Sequence, residues 1–180
     1  VMLGLSEYLR DKEPDLILSG VSRGANLGVE TPYSGTVAGA LEATLLRIPA
    51  IALSQRVVGE KEQFHTTETL APGIIEKLVR HEWPRDVFMN VNFPDVPSDK
   101  VAGVTVVEQG RRQSSYNLHE MPDPRREGFF YIIGTARRGP HMRRSDSDYR
   151  AIDRGEITIT PLHCDLTHRG ALRALRKEFK

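Results

Sequence analysis

Cysteine is nearly missing from this chain: Cys164 is the only one in 180 residues. One thiol excludes an intrachain disulfide and suits a reducing compartment, so a cytoplasmic location is expected. No apolar run approaches the roughly 20 residues that a membrane-spanning helix needs. The opening residues, with Asp11, Lys12 and Glu13 close behind Leu9, do not read as a signal peptide, and no membrane partner is expected. Excess charge is also lacking. Lys and Arg total 25 against 24 Asp and Glu, a formal net charge of +1, so bulk electrostatics call for no nucleic-acid polymer. What remains, 39% hydrophobic and 27% charged residues, fits one globular α/β domain with a sizeable core.

The chain is organised around residues 14–48. Leu16, Ile17 and Leu18 form a short apolar run bounded by Pro14 and Gly20, which reads as a buried strand. A polar loop follows, carrying Gly20, Gly24, Gly28, Gly35 and Asn26. Val37, Leu41, Leu45 and Ile48 then recur on one helical face, with Ala38, Ala40 and Ala43 favouring helix. Strand, glycine-rich loop and helix is an arrangement by which open α/β sheets bind anions beyond the carboxyl ends of their strands. Glycine lets backbone N–H groups approach a ligand, and a helix N-terminus offers unpaired N–H groups with partial positive charge. Ser34, Gly35 and Thr36 stand where this helix begins. The Ser34 and Thr36 hydroxyls can cap it or bond phosphate oxygens, and the residues alone leave both open. Neither a P-loop lysine nor a full G-x-G-x-x-G is present.

The rest continues the alternation. Residues 50–53 read as a second buried strand, 55–63 as loop, and 66–81 as a helix through Leu70, Ile74 and Leu78, with Pro72 tolerated only near its start. Residues 87–93 make a third strand, in which Asn90 and Asn92 alternate with Met89, Val91 and Phe93. These asparagines read as polar groups on one strand face rather than ligands. Residues 101–145 predict a protruding β arm, with β-type runs at 104–107 and 129–133. The pairs Arg111-Arg112, Arg125-Arg126, Arg137-Arg138 and Arg143-Arg144 suit a solvated surface or attraction of phosphate. Residues 145–153 predict a short helix and 156–160 a final strand ended by Pro161. His163, Cys164, Asp165 and His168 crowd together without paired zinc-ligand spacing, so a strand-end turn is expected there. Leu172, Leu175 and Phe179 form a stripe on a terminal helix over 171–180 that needs a surface to cover it. At the other end, Val1, Leu5, Tyr8 and Leu9 recur at helical spacing up to Pro14. A parallel strand at Leu16 needs parallel neighbours, so the first part of the domain is expected to be absent from this chain.

Ser19-Gly20-Val21-Ser22-Arg23-Gly24-Ala25-Asn26-Leu27-Gly28, followed by Tyr33-Ser34-Gly35-Thr36-Val37, resembles the signature of the SurE (survival protein E) family. Ile48-Pro49-Ala50-Ile51-Ala52-Leu53-Ser54, Asn90-Val91-Asn92-Phe93-Pro94 and the stretch from Ile159 through Pro161 and His163 to Thr167 resemble further family blocks in the same order. The resemblance implies a doubly wound, mostly parallel, Rossmann-like three-layer sheet with a β-hairpin arm and a C-terminal helix. It also implies a metal-dependent phosphomonoester hydrolase acting on nucleoside 5'- or 3'-monophosphates, in some members also on polyphosphate. A divalent cation of the Mg2+ or Mn2+ class is the implied cofactor, and a homodimer or homotetramer, joined through the arm and the C-terminal part, the implied assembly. Matched residue by residue, Asn26, Ser34, Gly35 and Thr36 take phosphate-facing positions, and Ser22 stands where the family has its metal-binding Asn. The family's Asp-Asp pair and a metal-binding Ser lie upstream of these blocks, and no Asp-Asp pair occurs here. The site in these 180 residues is therefore expected to be incomplete and the chain alone inactive. The alternative is a non-catalytic SurE-like protein that binds nucleotide or assembles with partners.

Overall fold

The parallel core grows by repetition of strand and helix. In the computed structural model, which describes residues 1–59, 64–125, 127–141 and 146–179, strand β1 (Ile17–Arg23) leads through the glycine loop into helix α1 (Gly35–Leu45) and strand β2 (Ala50–Gln55). Helix α2 (His65–Val79) and strand β3 (Val87–Phe93) follow. Strand β4 (Gly103–Val106), the hairpin strands β5 (Arg112–Pro122) and β6 (Phe129–His141), helix α3 (Asp148–Asp153), strand β7 (Glu156–His163) and helix α4 (Arg169–Glu178) complete the order. The main sheet runs β1-β2-β3-β7-β4. Its only antiparallel contact among the described strands is β3 with β7, so the sheet is mostly parallel, as expected.

Alternation along the strands sorts the two helical layers. In β2, Ala50 and Ala52 face α1, where Val37, Ala40, Ala43 and Phe88 join them. The small side chains let α1 lie close to the sheet. Ile51 and Leu53 point the other way and pack with Met89, Val91, Phe93, Ile157 and Ile159 beneath Ala71 and Ile74 of α2. Each such large side chain, fully buried, contributes about 1.5 to 3 kcal/mol. Both faces of β2 and β3 are covered, so these strands are buried along their whole length. β1 is an edge strand and leaves Leu18 and Val21 partly exposed.

Several local expectations are corrected. Pro72 is the eighth residue of α2, not near its start. Its missing N–H deprives the carbonyl of Glu68, but both residues are exposed, so the break falls on the solvent side of the helix while buried Ala71 and Ile74 hold the other side down. Pro161 does not end the last strand, which continues to His163. Val107 N–H bonds to Ile159 O, so the alternate residue Pro161 turns its nitrogen to the same side, where β4 has already ended. Gln55, assigned to loop from the sequence, is the buried last residue of β2. Its amide donates to Pro94 O at 2.7 Å and accepts from Thr67 Oγ1 at 2.5 Å. The N-terminal stripe is only a short wide helical turn, Gly4–Tyr8, with no buried residue.

The arm is narrower than expected. Gly103–Val106 belongs to the main sheet, and the antiparallel hairpin comprises β5 and β6 in a sheet of their own. Of the arginine pairs, Arg126, Arg143 and Arg144 lie outside the described residues. α4 buries none of its residues, with Leu175 and Phe179 exposed. No helix among the described residues is long and apolar enough to cross a membrane.

Candidate functional site

Strands β1, β2 and β3 run in one direction, so their carboxyl ends and the loops beyond them share one edge of the sheet, and α1 begins at that edge. Near it, Ser22, Ser54, Asn92 and Thr158 stand side by side on β1, β2, β3 and β7. The β1 register shifts between Ser19 and Ser22. Gly20 lies in that shift at φ +124, where an added Cβ would come within 2.2 Å of the Leu53 carbonyl oxygen. Only glycine fits there, and by fitting it lets β1 bend so that Ser22 returns to register with Ser54.

Asn26 is tied to this row. Its N–H donates to Asn92 Oδ1 at 2.7 Å, and its carbonyl accepts from Asn90 Nδ2 at 2.8 Å and Asn92 Nδ2 at 3.1 Å. Its side-chain amide donates to Ser54 Oγ at 2.7 Å. Asn26 Oδ1 and the second amide hydrogen have no bond among the described residues.

At the start of α1, Ser34 is the N-cap and its Oγ accepts from Val37 N–H at 3.2 Å. Thr36 does not cap: its hydroxyl has no partner among the described residues. The N–H groups of Gly35 and Thr36 likewise have no acceptor among them, Gly35 being exposed and Thr36 half-buried. Ser34 thus caps the helix with a lone pair and still has its O–H to donate, and Gly35 and Thr36 keep their N–H donors.

A second anchor holds the far side of the glycine loop. The fully buried Asp148 carboxylate accepts from Gly28 N–H at 2.6 Å, Gly110 N–H at 2.8 Å and Tyr149 N–H at 2.8 Å. Gln109 Nε2 donates to Gly28 O and Thr31 Oγ1, both at 2.9 Å, and Tyr149 OH donates to Leu27 O at 3.1 Å. Gly28 has φ +53 and no room for a Cβ, which would meet the Tyr149 ring at 2.3 Å. The base of the hairpin arm and the glycine loop are thus joined through one buried carboxylate.

Between this loop, the end of β2 and α3 lies a cleft of about 100 Å³, walled by Gly24, Ala25, Leu27 and Ile152. An Arg56 to Asp153 ion pair of 2.6 Å lines it. Ligand pockets start at roughly 300 Å³, so this cleft has space for a small group and not for a nucleoside.

The donors available to a cation are neutral. No three His, Cys, Asp or Glu side chains converge among the described residues, and Ser22 Oγ and Asn26 Oδ1 are oxygens without charge. A hard divalent ion draws on carboxylates, so the described residues do not by themselves fit one. Of the four residues expected in a strand-end turn, His163 is the last of β7, Cys164 and Asp165 follow it in the connection, and His168 stands at the start of α4. Thr167, through its side chain and its N–H, holds the Asp165 carboxyl below its ordinary range. His168 Nδ1 accepts from Ala171 N–H and caps α4. Burial, helped by Asp86, pushes the Cys164 thiol up.

Sequence reasoning singled out Ser22, Asn26 and Ser34 to Thr36, and the structure pairs Ser22 with Ser54 across β1 and β2 and bonds the Asn26 amide to the Ser54 hydroxyl. It gave Asn90 and Asn92 only a place on the strand face and missed Ser54, Gln109 and Asp148. Two asparagines at alternate positions in an otherwise apolar buried strand were a usable signal. Asp148 offered none, being one of several acids in a polar stretch.

A family profile described as "Survival protein SurE" matches residues 1–116. The protein named 5'-nucleotidase SurE in Paramagnetospirillum magneticum is 44% identical over 180 residues, covering 99% of this chain and 68% of that protein. That of Geobacter sulfurreducens is 38% identical, covering 98% and 66%. The crystal structure of the Sure protein from Aquifex aeolicus superposes with a TM-score of 0.80 at 32% identity, over 99% of this chain and 71% of that one. The chain thus spans about two thirds of the length of the curated relatives it matches.

Proposed function

The chain belongs to the survival protein SurE family, and from that premise we propose that the protein is a phosphomonoester hydrolase of nucleoside 5'- or 3'-monophosphates. The observation that carries the reading is the pair of unpaired N–H groups at Gly35 and Thr36, on the helix that follows a glycine loop anchored by Asn26. In this reading the Gly35 and Thr36 N–H groups and the Thr36 hydroxyl receive phosphate oxygens, helped by the partial positive charge of the α1 N-terminus. The amide hydrogen of Asn26 that Ser54 leaves free reaches another. Ser34 keeps the first turn of α1 wound so that these donors stay aimed. Donors fixed before the substrate arrives stabilise developing charge without reorganisation, which is the larger part of their catalytic value.

A divalent cation of the Mg2+ or Mn2+ class is the proposed cofactor and would supply Lewis-acid polarisation of the phosphoryl group. Ser22 is the side chain this chain would lend it, with a reach shorter than that of the family's Asn. Polyphosphate as a further substrate, a homodimer or homotetramer joined through the arm and α4, and a cytoplasmic setting belong to the same proposal. The exposed Leu175 and Phe179 support the assembly.

The test is phosphate release from nucleoside monophosphates by the full-length protein, with and without EDTA, in native, Asn26→Ala and Ser22→Asn forms. Chelator-sensitive release is expected. Asn26→Ala should lower kcat/KM, and Ser22→Asn should lower the metal concentration giving half-maximal activity by about 10-fold or more. No release from any nucleoside monophosphate in the native protein overturns the enzyme reading. The departure at Ser22 favours the second reading, a relative that binds nucleotide without turning it over, and binding without release would establish it.

A further inference from the structure

Asn90 and Asn92 are fully buried in β3, where apolar side chains would pack more cheaply. Asn92 meets Asn26 as a backbone neighbour would. Its Oδ1 takes the Asn26 N–H at 2.7 Å and its Nδ2 gives to the Asn26 carbonyl at 3.1 Å. Asn90 Nδ2 gives to the same carbonyl at 2.8 Å. Backbone donor and acceptor fix which way each amide points, since a reversed Asn90 or Asn92 would set oxygen against oxygen. Asn90 also leaves its own Oδ1 buried with no hydrogen bond among the described residues, and Thr160, its neighbour across the β3 and β7 pair, leaves its hydroxyl so as well. An unsatisfied buried acceptor is destabilising. Asn90 is thus poorly suited to the sheet and well suited to the loop.

We propose that Asn90 and Asn92 are positioning residues that clamp the backbone on both sides of Asn26 and thereby aim its side chain at the bound phosphate. This rests on the phosphate-site reading of Asn26 and extends it to two side chains that touch no substrate. Two amides hold the carbonyl of the peptide that follows Asn26, and the third bond holds the N–H of the peptide that precedes it, so neither plane flanking Asn26 can rotate without breaking its bonds. Ser54 then sets the Asn26 side chain itself. A loop free to shift by about 1 Å is expected to lose roughly 100-fold in turnover.

The test uses Asn92→Ala, Asn92→Asp and Asn90→Ala in the full-length protein. The Asp variant keeps the acceptor for Asn26 N–H but sets an oxygen against the Asn26 carbonyl. Amide hydrogen exchange over residues 24–28 and kcat/KM for a nucleoside monophosphate are read in the native and Asn26→Ala backgrounds. Exchange in 24–28 should rise at least about 10-fold with the α2 and β7 segments unchanged. The kcat/KM should fall about 10- to 100-fold in the native background and less than about 3-fold once Asn26 is alanine, because what the clamp aims is the Asn26 side chain. Loop exchange that stays at the native rate, or activity losses that multiply undiminished in the Asn26→Ala background, would overturn the proposal. Should Asn92→Ala fail to fold, Asn90→Ala, which removes an unsatisfied oxygen, decides on the same readouts. A native protein that releases no phosphate refutes the hydrolase reading instead, and the exchange data then decide the clamp alone.

Discussion

Replacing Asp148 by asparagine is expected to destabilise the protein by about 2 to 4 kcal/mol. The carboxylate is fully buried and accepts three backbone N–H groups, two at Oδ1 and that of Gly28 at Oδ2. Asparagine has the same shape but can accept on one side only. Its less costly orientation keeps the Gly110 and Tyr149 bonds and turns Nδ2 toward Gly28 N–H, setting donor against donor at a spacing that is now 2.6 Å. One charge-assisted bond of about 1.5 to 3 kcal/mol is lost, and the Gly28 N–H is left buried and unpaired at about 1 to 3 kcal/mol. The two surviving bonds weaken from charged to neutral. Against this, the folded state no longer buries a charge, a relief of several kcal/mol at most. The balance falls at the range stated and corresponds to a midpoint lower by about 4 to 16 °C for a chain of this size. Urea unfolding and scanning calorimetry at pH 7 measure it. A midpoint within about 1 °C of native would refute the reasoning, since it would mean that relief of the buried charge offsets the lost Gly28 bond, the unpaired Gly28 N–H and the weakening of the other two.

Other substitutions probe single positions. Gly20→Ala should cost about 3 kcal/mol or more, because its Cβ would lie 2.2 Å from the Leu53 carbonyl oxygen at a φ that L residues avoid, and a native-like denaturation midpoint would count against it. Arg47→Gly should stabilise by about 0.5 to 1 kcal/mol: Arg47 sits at φ 66 just past α1, with Ile48 N–H bonded back to Ala43 O, a terminus that glycine fills without strain. A lower midpoint in the glycine variant would show that the arginine makes compensating contacts. Bonds from Arg154 and Thr105 hold the Glu156 carboxyl below its ordinary value of 4.5. The folded state therefore binds this proton less tightly than the unfolded chain, so the stabilisation is present above about pH 4.5 and fades as pH falls through the lowered folded value. Glu156→Gln should flatten stability against pH in that acid window alone, and an unchanged acid limb would refute it.

Much of the fold lies in local pattern. The run at Leu16 to Leu18, the alternation in residues 87–93 and the helical spacing of Val37, Leu41 and Leu45 each specify an element through chemistry confined to a few neighbouring residues. The glycine loop and its Ser34 to Thr36 exit were legible for the same reason: capping and backbone freedom are local demands. Pro72 and Pro161 misled because proline's penalty depends on what its missing N–H would have met. Exposure of Glu68 and the early end of β4 are facts of packing, absent from the residues themselves. Ser54, Asn90, Asn92 and Asp148 show the larger limit. Each is an ordinary polar residue in its own stretch, and its partner stands 28, 64, 66 or 120 positions away. Sequence determined that a polar, glycine-rich loop would meet the end of a parallel sheet. Only the tertiary structure decided that two asparagines of β3 would seize its backbone and a carboxylate of α3 would bind it to the arm, because directional hydrogen bonds exist only once the strands are in register.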